Sequence, residues 1–307
     1  MNAESEENDL CETDLWVILV CCVFAAGCTA GTAKGADDAM MIQIETVRTD
    51  GFSMDYFRFG HGDRTLVILP GLSVDSVMKY ADAVADAYSL LADDFTIYVF
   101  DRRKELPEDY PVAEMAKDTA AAIRALGLDR ICLFGASQGG MIAMTMAVDD
   151  PELVSRLILG STAACVEPER YQVIDRWIRL AGEGNAEDLC LALGEAIYPE
   201  AVFDGFRDLL KENAKDVAEE DLARFVILAK GIEGFDVTNR LKEIVCPVLV
   251  IGSADDQVLG ADSSEIIAEQ LKDRPDCEWY MYDGYGHAAY DLAPDYKQRM
   301  QRFLCRE

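Results

Sequence analysis

The stretch "ICLFGASQGGMIAMTMA", residues 131–147, constrains the fold more than any other part of the chain. An apolar run stops at Gly135-Ala136-Ser137-Gln138-Gly139-Gly140, and a second apolar run begins at once. Glycines flank one serine at the spacing G-x-S-x-G. A surface turn has no need of small residues on both sides of a hydroxyl. A buried, sharply bent passage from strand to helix does, because the backbone must turn without a Cβ in the way. The helix that follows such a turn aims backbone N–H groups and a partial positive charge at the space in front of the serine.

The surrounding pattern fits that passage. "MMIQIETVRTDGFSMDYFRF" alternates on both sides of Asp50-Gly51, which predicts a hairpin. "RTLVILPGL" is a short apolar strand ending at Pro70-Gly71, and "SVMKYADAVADAYSLLADD" has helical spacing. "FTIYVFD" reads as a strand, "VAEMAKDTAAAIRALGL" as a helix and "VSRLILG" as a strand. Strands that alternate with helices, and are nearly continuous in apolar residues, predict a mostly parallel sheet covered on both faces.

The rhythm then changes. Residues 166–239 hold four amphipathic helical stretches and no convincing strand, so they read as an all-helical insertion. Trp177, Ile178, Phe203, Phe206 and Phe225 recur there at helical spacing and read as packing residues. Alternation resumes with "CPVLVIG", "DSSEIIAEQLKD", "CEWYMYD" and "PDYKQRMQRFL". The expected organisation is a sheet core over 41–165 and 240–307, the helical insertion between them, and an N-terminal extension over 1–40.

The extension carries a candidate membrane-spanning or anchoring segment at 15–33, "LWVILVCCVFAAGCTAGTA", about the ~20 residues that cross a bilayer. Its front is acidic, unlike that of a secretory signal. Either it anchors the protein at a membrane or the folded unit starts near Met41 and is cytoplasmic. A lipoprotein site at "AAGC" is a weaker match.

A formal charge of −29 argues against nucleic acid as a partner, since such binding rests on releasing counterions from phosphates. It argues equally against an anionic membrane surface. The ten cysteines include no C-x-x-C pair, and only two histidines are present, so no metal site is expected. The cysteines read as mostly buried, reduced thiols.

A serine hydroxyl needs a base, and the base needs an orienting group. The base is His61 or His287. His61, in "FGHGDRT", precedes a strand and so lies at the wrong edge of a parallel sheet, where it reads as a solvated turn residue. His287, in "YDGYGHAAYD", follows the last strand and can reach the carboxyl edge. The acid belongs after "PVLVIG", where "GSADDQVLG" offers both Asp255 and Asp256. Oxyanion donors are expected from the backbone N–H of Gln138, next to the nucleophile, and of Leu72 in "LPGLS".

Over residues 42–305 the chain resembles serine hydrolases of the α/β-hydrolase fold that carry a helical lid. The resemblance lies in the elbow Gly135–Gly139, the turn Pro70-Gly71-Leu72, Asp101-Arg102, Asp255-x-x-Val258 and Gly286-His287-Ala288. It implies a triad of Ser137, Asp255 and His287. Asp255 is preferred to Asp256 because a strand-end aspartate followed three residues on by valine is similar to the family's acid. It also implies that residues 166–239 form a lid, and that no cofactor is needed. Pro70-Gly71 stands where the family has His-Gly, and "DRRKELPEDY" replaces the usual small residues after Asp-Arg. The implied activity is hydrolysis of a small or medium carboxylic ester through an acyl-enzyme. Acyl transfer, and amide or carbon–carbon hydrolysis, are open to the same triad, and a non-catalytic binding protein on this fold is the alternative from another class.

Overall fold

The computed structural model describes residues 41–306. The extension over 1–40, with its candidate segment at 15–33, lies outside the described residues. Among those described, no helix is long and apolar enough to cross a membrane.

Along the chain the strands are β1 (Ile44–Arg48), β2 (Ser53–Phe59), β3 (Arg64–Leu69), β4 (Phe95–Arg103), β5 (Ile131–Ala136), β6 (Val154–Gly160), β7 (Val248–Ser253) and β8 (Cys277–Tyr282). The helices are α1 (Ala81–Ala87), α2 (Val112–Ala125), α3 (Gln138–Asp149), α4 (Pro168–Gly182), α5 (Ala186–Ile197), α6 (Glu200–Asn213), α7 (Glu219–Lys230), α8 (Asp262–Leu271), α9 (Ala289–Leu292) and α10 (Tyr296–Leu304). One sheet holds all eight strands in the order β1-β2-β4-β3-β5-β6-β7-β8. The β1–β2 hairpin forms at the expected turn, pairing Arg48 with Ser53. β1–β2 and β2–β4 are antiparallel, and the remaining pairings are parallel. The fold is the expected mostly parallel sheet with flanking helices.

Every residue of β5 and β7 is buried, as two covered faces require. β8 is an edge strand and leaves Trp279 and Tyr280 exposed. The single helix expected over residues 76–94 is instead split into a 3₁₀ turn at Val77–Tyr80, then α1, then a second 3₁₀ turn at Ser89–Leu91. Tyr80 (φ −120°) and Tyr88 (φ −107°) leave helical backbone geometry, and each ends a segment there.

Four helices, α4 to α7, occupy the stretch between β6 and β7. Its two ends are tied together at the neck, where Cys165 bridges Asp236, Val166 N–H donates to Phe235 O at 3.1 Å and Val237 N–H donates to Ala164 O at 2.8 Å. The insertion therefore leaves and rejoins the core at one point. Trp177, Phe203, Phe206 and Phe225 are buried within it, and Ile178 is partly buried against the same core.

The crossing of β5 and α3 is tight at two glycines. A Cβ on Gly139 would lie 2.1 Å from the Leu69 carbonyl oxygen, and one on Gly135 would lie 2.3 Å from that of Gly139. Real Cβ atoms do not approach backbone so closely. Gly139→Ala is therefore expected to destabilise the protein by about 2 kcal/mol or more. Gly205, in mid-α6 with nothing near its missing Cβ, gives the contrast: Gly205→Ala should stabilise by about 0.5–1 kcal/mol. Urea unfolding of the two variants checks both signs.

Candidate active site

β5 delivers Ser137 to the carboxyl edge of the sheet, and α3 starts at the next residue. Ser137 holds φ 51° and ψ −122°, a conformation a side-chain-bearing residue adopts only under constraint. The constraint is visible in its bonds. Ser137 N–H donates to Gly160 O at 2.9 Å, and its carbonyl accepts from Thr162 Oγ1 at 2.7 Å. The strand and helix on either side are thus pinned to the neighbouring β6 and its loop.

His287 follows β8 and is 2% exposed. Its Nδ1–H donates to Asp256 Oδ2 at 2.8 Å. The other oxygen of Asp256 accepts from Val258 N–H at 2.8 Å and from Leu259 N–H at 3.0 Å. Burial by itself would raise the Asp256 carboxyl. The charge and hydrogen bond of His287, with the Leu259 and Val258 N–H groups, outweigh it and hold the carboxyl below the usual range. This leaves a buried anion fixed at one end by backbone and facing an imidazole at the other.

The expected acid, Asp255, is not the imidazole's partner. Its Oδ1 accepts from Ser253 Oγ at 2.7 Å and its Oδ2 from Gly286 N–H at 2.9 Å. The loop bends after Ser253, with Asp256 N–H donating back to Ser253 O at 3.3 Å, and two consecutive side chains diverge. Asp256 turns inward to the ring, while Asp255 holds the backbone one residue before it.

His61 lies on the loop between β2 and β3, its side chain 77% exposed and 3.4 Å from Asp93 Oδ1. It is a surface residue at the amino end of β3. Leu72 follows β3 directly beside the elbow: a Cβ on the preceding Gly71 would lie 3.2 Å from Ser137 Cβ. Among the described residues, no turn or loop hydrogen bond uses the backbone N–H of Leu72 or of Gln138. No cluster of three or more potential metal ligands occurs among those residues either.

A strained serine, a buried His–Asp pair and two N–H groups with no turn or loop hydrogen bond thus follow the carboxyl ends of β5, of β7 and β8, and of β3 and β5. The alpha/beta hydrolase fold family model matches residues 64–294. The chain belongs to that family. A relative assigned the name carbamate hydrolase RutD, from Agrobacterium fabrum, is 28% identical over 223 residues, covering 70% of this chain and 84% of the relative. Among solved structures, MGS-M2, an alpha/beta hydrolase enzyme from a Medee basin deep-sea metagenome library, aligns with a TM-score of 0.76 at 20% identity, covering 86% of this chain and 98% of that one. A thermophilic esterase from Thermogutta terrifontis aligns at 0.69 and 21% identity, covering 85% and 98%.

The two aspartates should separate in kinetics. Asp256→Asn removes the anion facing the imidazole and should lower turnover of any substrate the protein hydrolyses by about 10⁴-fold. Asp255→Asn loosens one support of the histidine loop and should reduce turnover by only about tenfold. Steady-state rates of both variants test the order. The lowered carboxyl of Asp256 also predicts the sign of a pH effect. Its stabilisation is present above the unfolded carboxyl's range, near pH ~4, and is lost as pH falls through the lower folded value. The difference in urea midpoint between the native protein and Asp256→Asn should shrink as pH falls below the unfolded carboxyl's range, near pH ~4.

Proposed function

We propose that the protein is a serine hydrolase that cleaves a carboxylic ester through an acyl-enzyme. The observation that carries the reading is the buried 2.8 Å bond from His287 to Asp256, on loops that follow β7 and β8 at the same carboxyl edge of the sheet as the strained Ser137.

In this mechanism His287 Nε2 takes the proton of Ser137 Oγ as the oxygen adds to the ester carbonyl. Asp256 keeps Nδ1 protonated, so Nε2 is the free base, and it stabilises the imidazolium that forms. The carbonyl oxygen becomes an anion and accepts from Leu72 and Gln138 N–H. His287 then returns the proton to the departing alcohol. Water, deprotonated by the same imidazole, adds to the acyl-enzyme, and collapse releases the acid and restores the serine. No step calls for a metal or organic cofactor. The helices α4 to α7 would serve as the lid that bounds the substrate space.

Carbamates are the second substrate class to test, because of the similarity to the RutD relative over most of its length. A carbamate presents the same trigonal carbonyl to the same nucleophile, and fold and triad alone do not choose between the two.

A fluorophosphonate should modify Ser137, read by intact mass and peptide mapping. His287→Ala should abolish the modification, and Ser137→Ala should lower ester turnover by several orders of magnitude, about 10⁴-fold or more, without loss of fold. A folded protein that is not labelled, or is labelled elsewhere, would contradict the reading.

A further inference from the structure

Arg102, near the end of β4, is a buried cation that the triad does not use. It is 3% exposed. Its Nη2 donates to Pro70 O at 2.8 Å and to Gln138 Oε1 at 3.1 Å. Those acceptors belong to the two segments that bear the oxyanion donors: Pro70 lies two residues before Leu72, and Gln138 is itself a donor residue. Gln138 is fully buried, and its side-chain Nε2 donates onward to Leu228 O in α7 at 2.7 Å. One guanidinium and one amide therefore join the loop after β3, the first residue of α3 and a helix of the insertion.

A second connection runs alongside. Arg224 of α7 donates to Asp101 Oδ1 at 3.2 Å, to Arg102 O at 3.1 Å and to Arg103 O at 2.9 Å. The other oxygen of Asp101 accepts from Ser76 Oγ at 2.5 Å, on the segment that continues from Leu72. Thus α7 is fastened to the same loop from both sides.

Burying a guanidinium is unfavourable unless its donors are met and its charge has a use. Here desolvation brings Arg102 down to about 10, which still leaves it charged at neutral pH, and its Nε has no partner among the described residues. A fixed cation behind the donor pair is suited to a reaction in which negative charge develops in front of that pair.

We propose that Arg102 and the side chain of Gln138 are positioning residues for the oxyanion site, holding the Leu72 and Gln138 N–H groups in register and tying that register to the docking of α7. The proposal rests on the serine-hydrolase reading above. It extends that reading from the reacting groups to what aligns them, and assigns the insertion a part in transition-state binding besides enclosing substrate.

The test uses the full chain with Arg102→Met, Arg102→Lys and Gln138→Met, an ester substrate and a trifluoromethyl ketone. The ketone adds the Ser137 oxygen and presents an oxyanion to the donors. Arg102→Met and Gln138→Met should each lower kcat by about 10²-fold, as a small misplacement of reacting groups does, with KM within about twofold. Ketone affinity should fall in proportion to kcat/KM. Arg102→Lys keeps the charge but not the fork and should recover part of the loss. Should Arg102→Met fail to fold, Gln138→Met carries the test, since it exchanges one amide for an apolar chain of similar length. Folded variants with native kcat and ketone affinity, or with a change in KM alone, would overturn the proposal while leaving the serine-hydrolase reading intact. A native protein that neither labels at Ser137 nor binds the ketone would overturn both.

Discussion

Two backbones touch where β5 turns into α3, and the rest of the site depends on that contact. Gly139 lies against the Leu69 carbonyl and Gly135 against that of Gly139, so the strand, the helix and the end of β3 are separated by backbone alone. The close approach forces Ser137 to φ 51° and sets the first N–H of α3 beside the loop carrying Leu72. Any side chain at these glycines would push the three elements apart. The geometry that makes a serine useful here is thus fixed by what two residues lack.

Around that turn most buried polar groups have a partner, Arg102 Nε and Ser161 Oγ being exceptions among the described residues. Asp256 is held by two backbone N–H groups and the imidazole, Gln138 by the Leu228 carbonyl of α7 and a guanidinium, and Asp255 by Ser253 and Gly286. The ion pairs at the surface, such as Lys117–Glu114 and Arg207–Asp204, are of the exposed kind that adds little to stability. Electrostatics therefore matters most at the carboxyl edge of the sheet, where water is excluded and each charge acts at short range.

Much of this was legible in the sequence because it is written in local periodicity. The apolar strands, the hairpin at Asp50-Gly51, the break into four helices and the glycine-flanked serine all depend on neighbours within a few residues. His287 followed from chain order and from the small number of histidines. Other features depend on where a side chain points. Asp255 and Asp256 are adjacent and chemically identical, and only the bend after Ser253 decides which one meets the ring. The preference for Asp255 rested on its spacing to Val258, whereas Val258 N–H bonds to Asp256. Likewise nothing near Arg102 in the sequence announces Gln138, 36 residues on, or the carbonyl of Leu228, 90 residues beyond that.

In the proposed mechanism a single carboxylate, Asp256, orients the imidazole that acts as base. With only two histidines in the chain, a ¹⁵N-histidine-labelled sample gives an NMR spectrum simple enough to assign. One strongly deshielded, slowly exchanging ring proton, on His287 Nδ1, is expected. It should vanish in Asp256→Asn and persist in Asp255→Asn. Loss of that proton on changing Asp255, or its survival when Asp256 is changed, would contradict the assignment on which the mechanism stands.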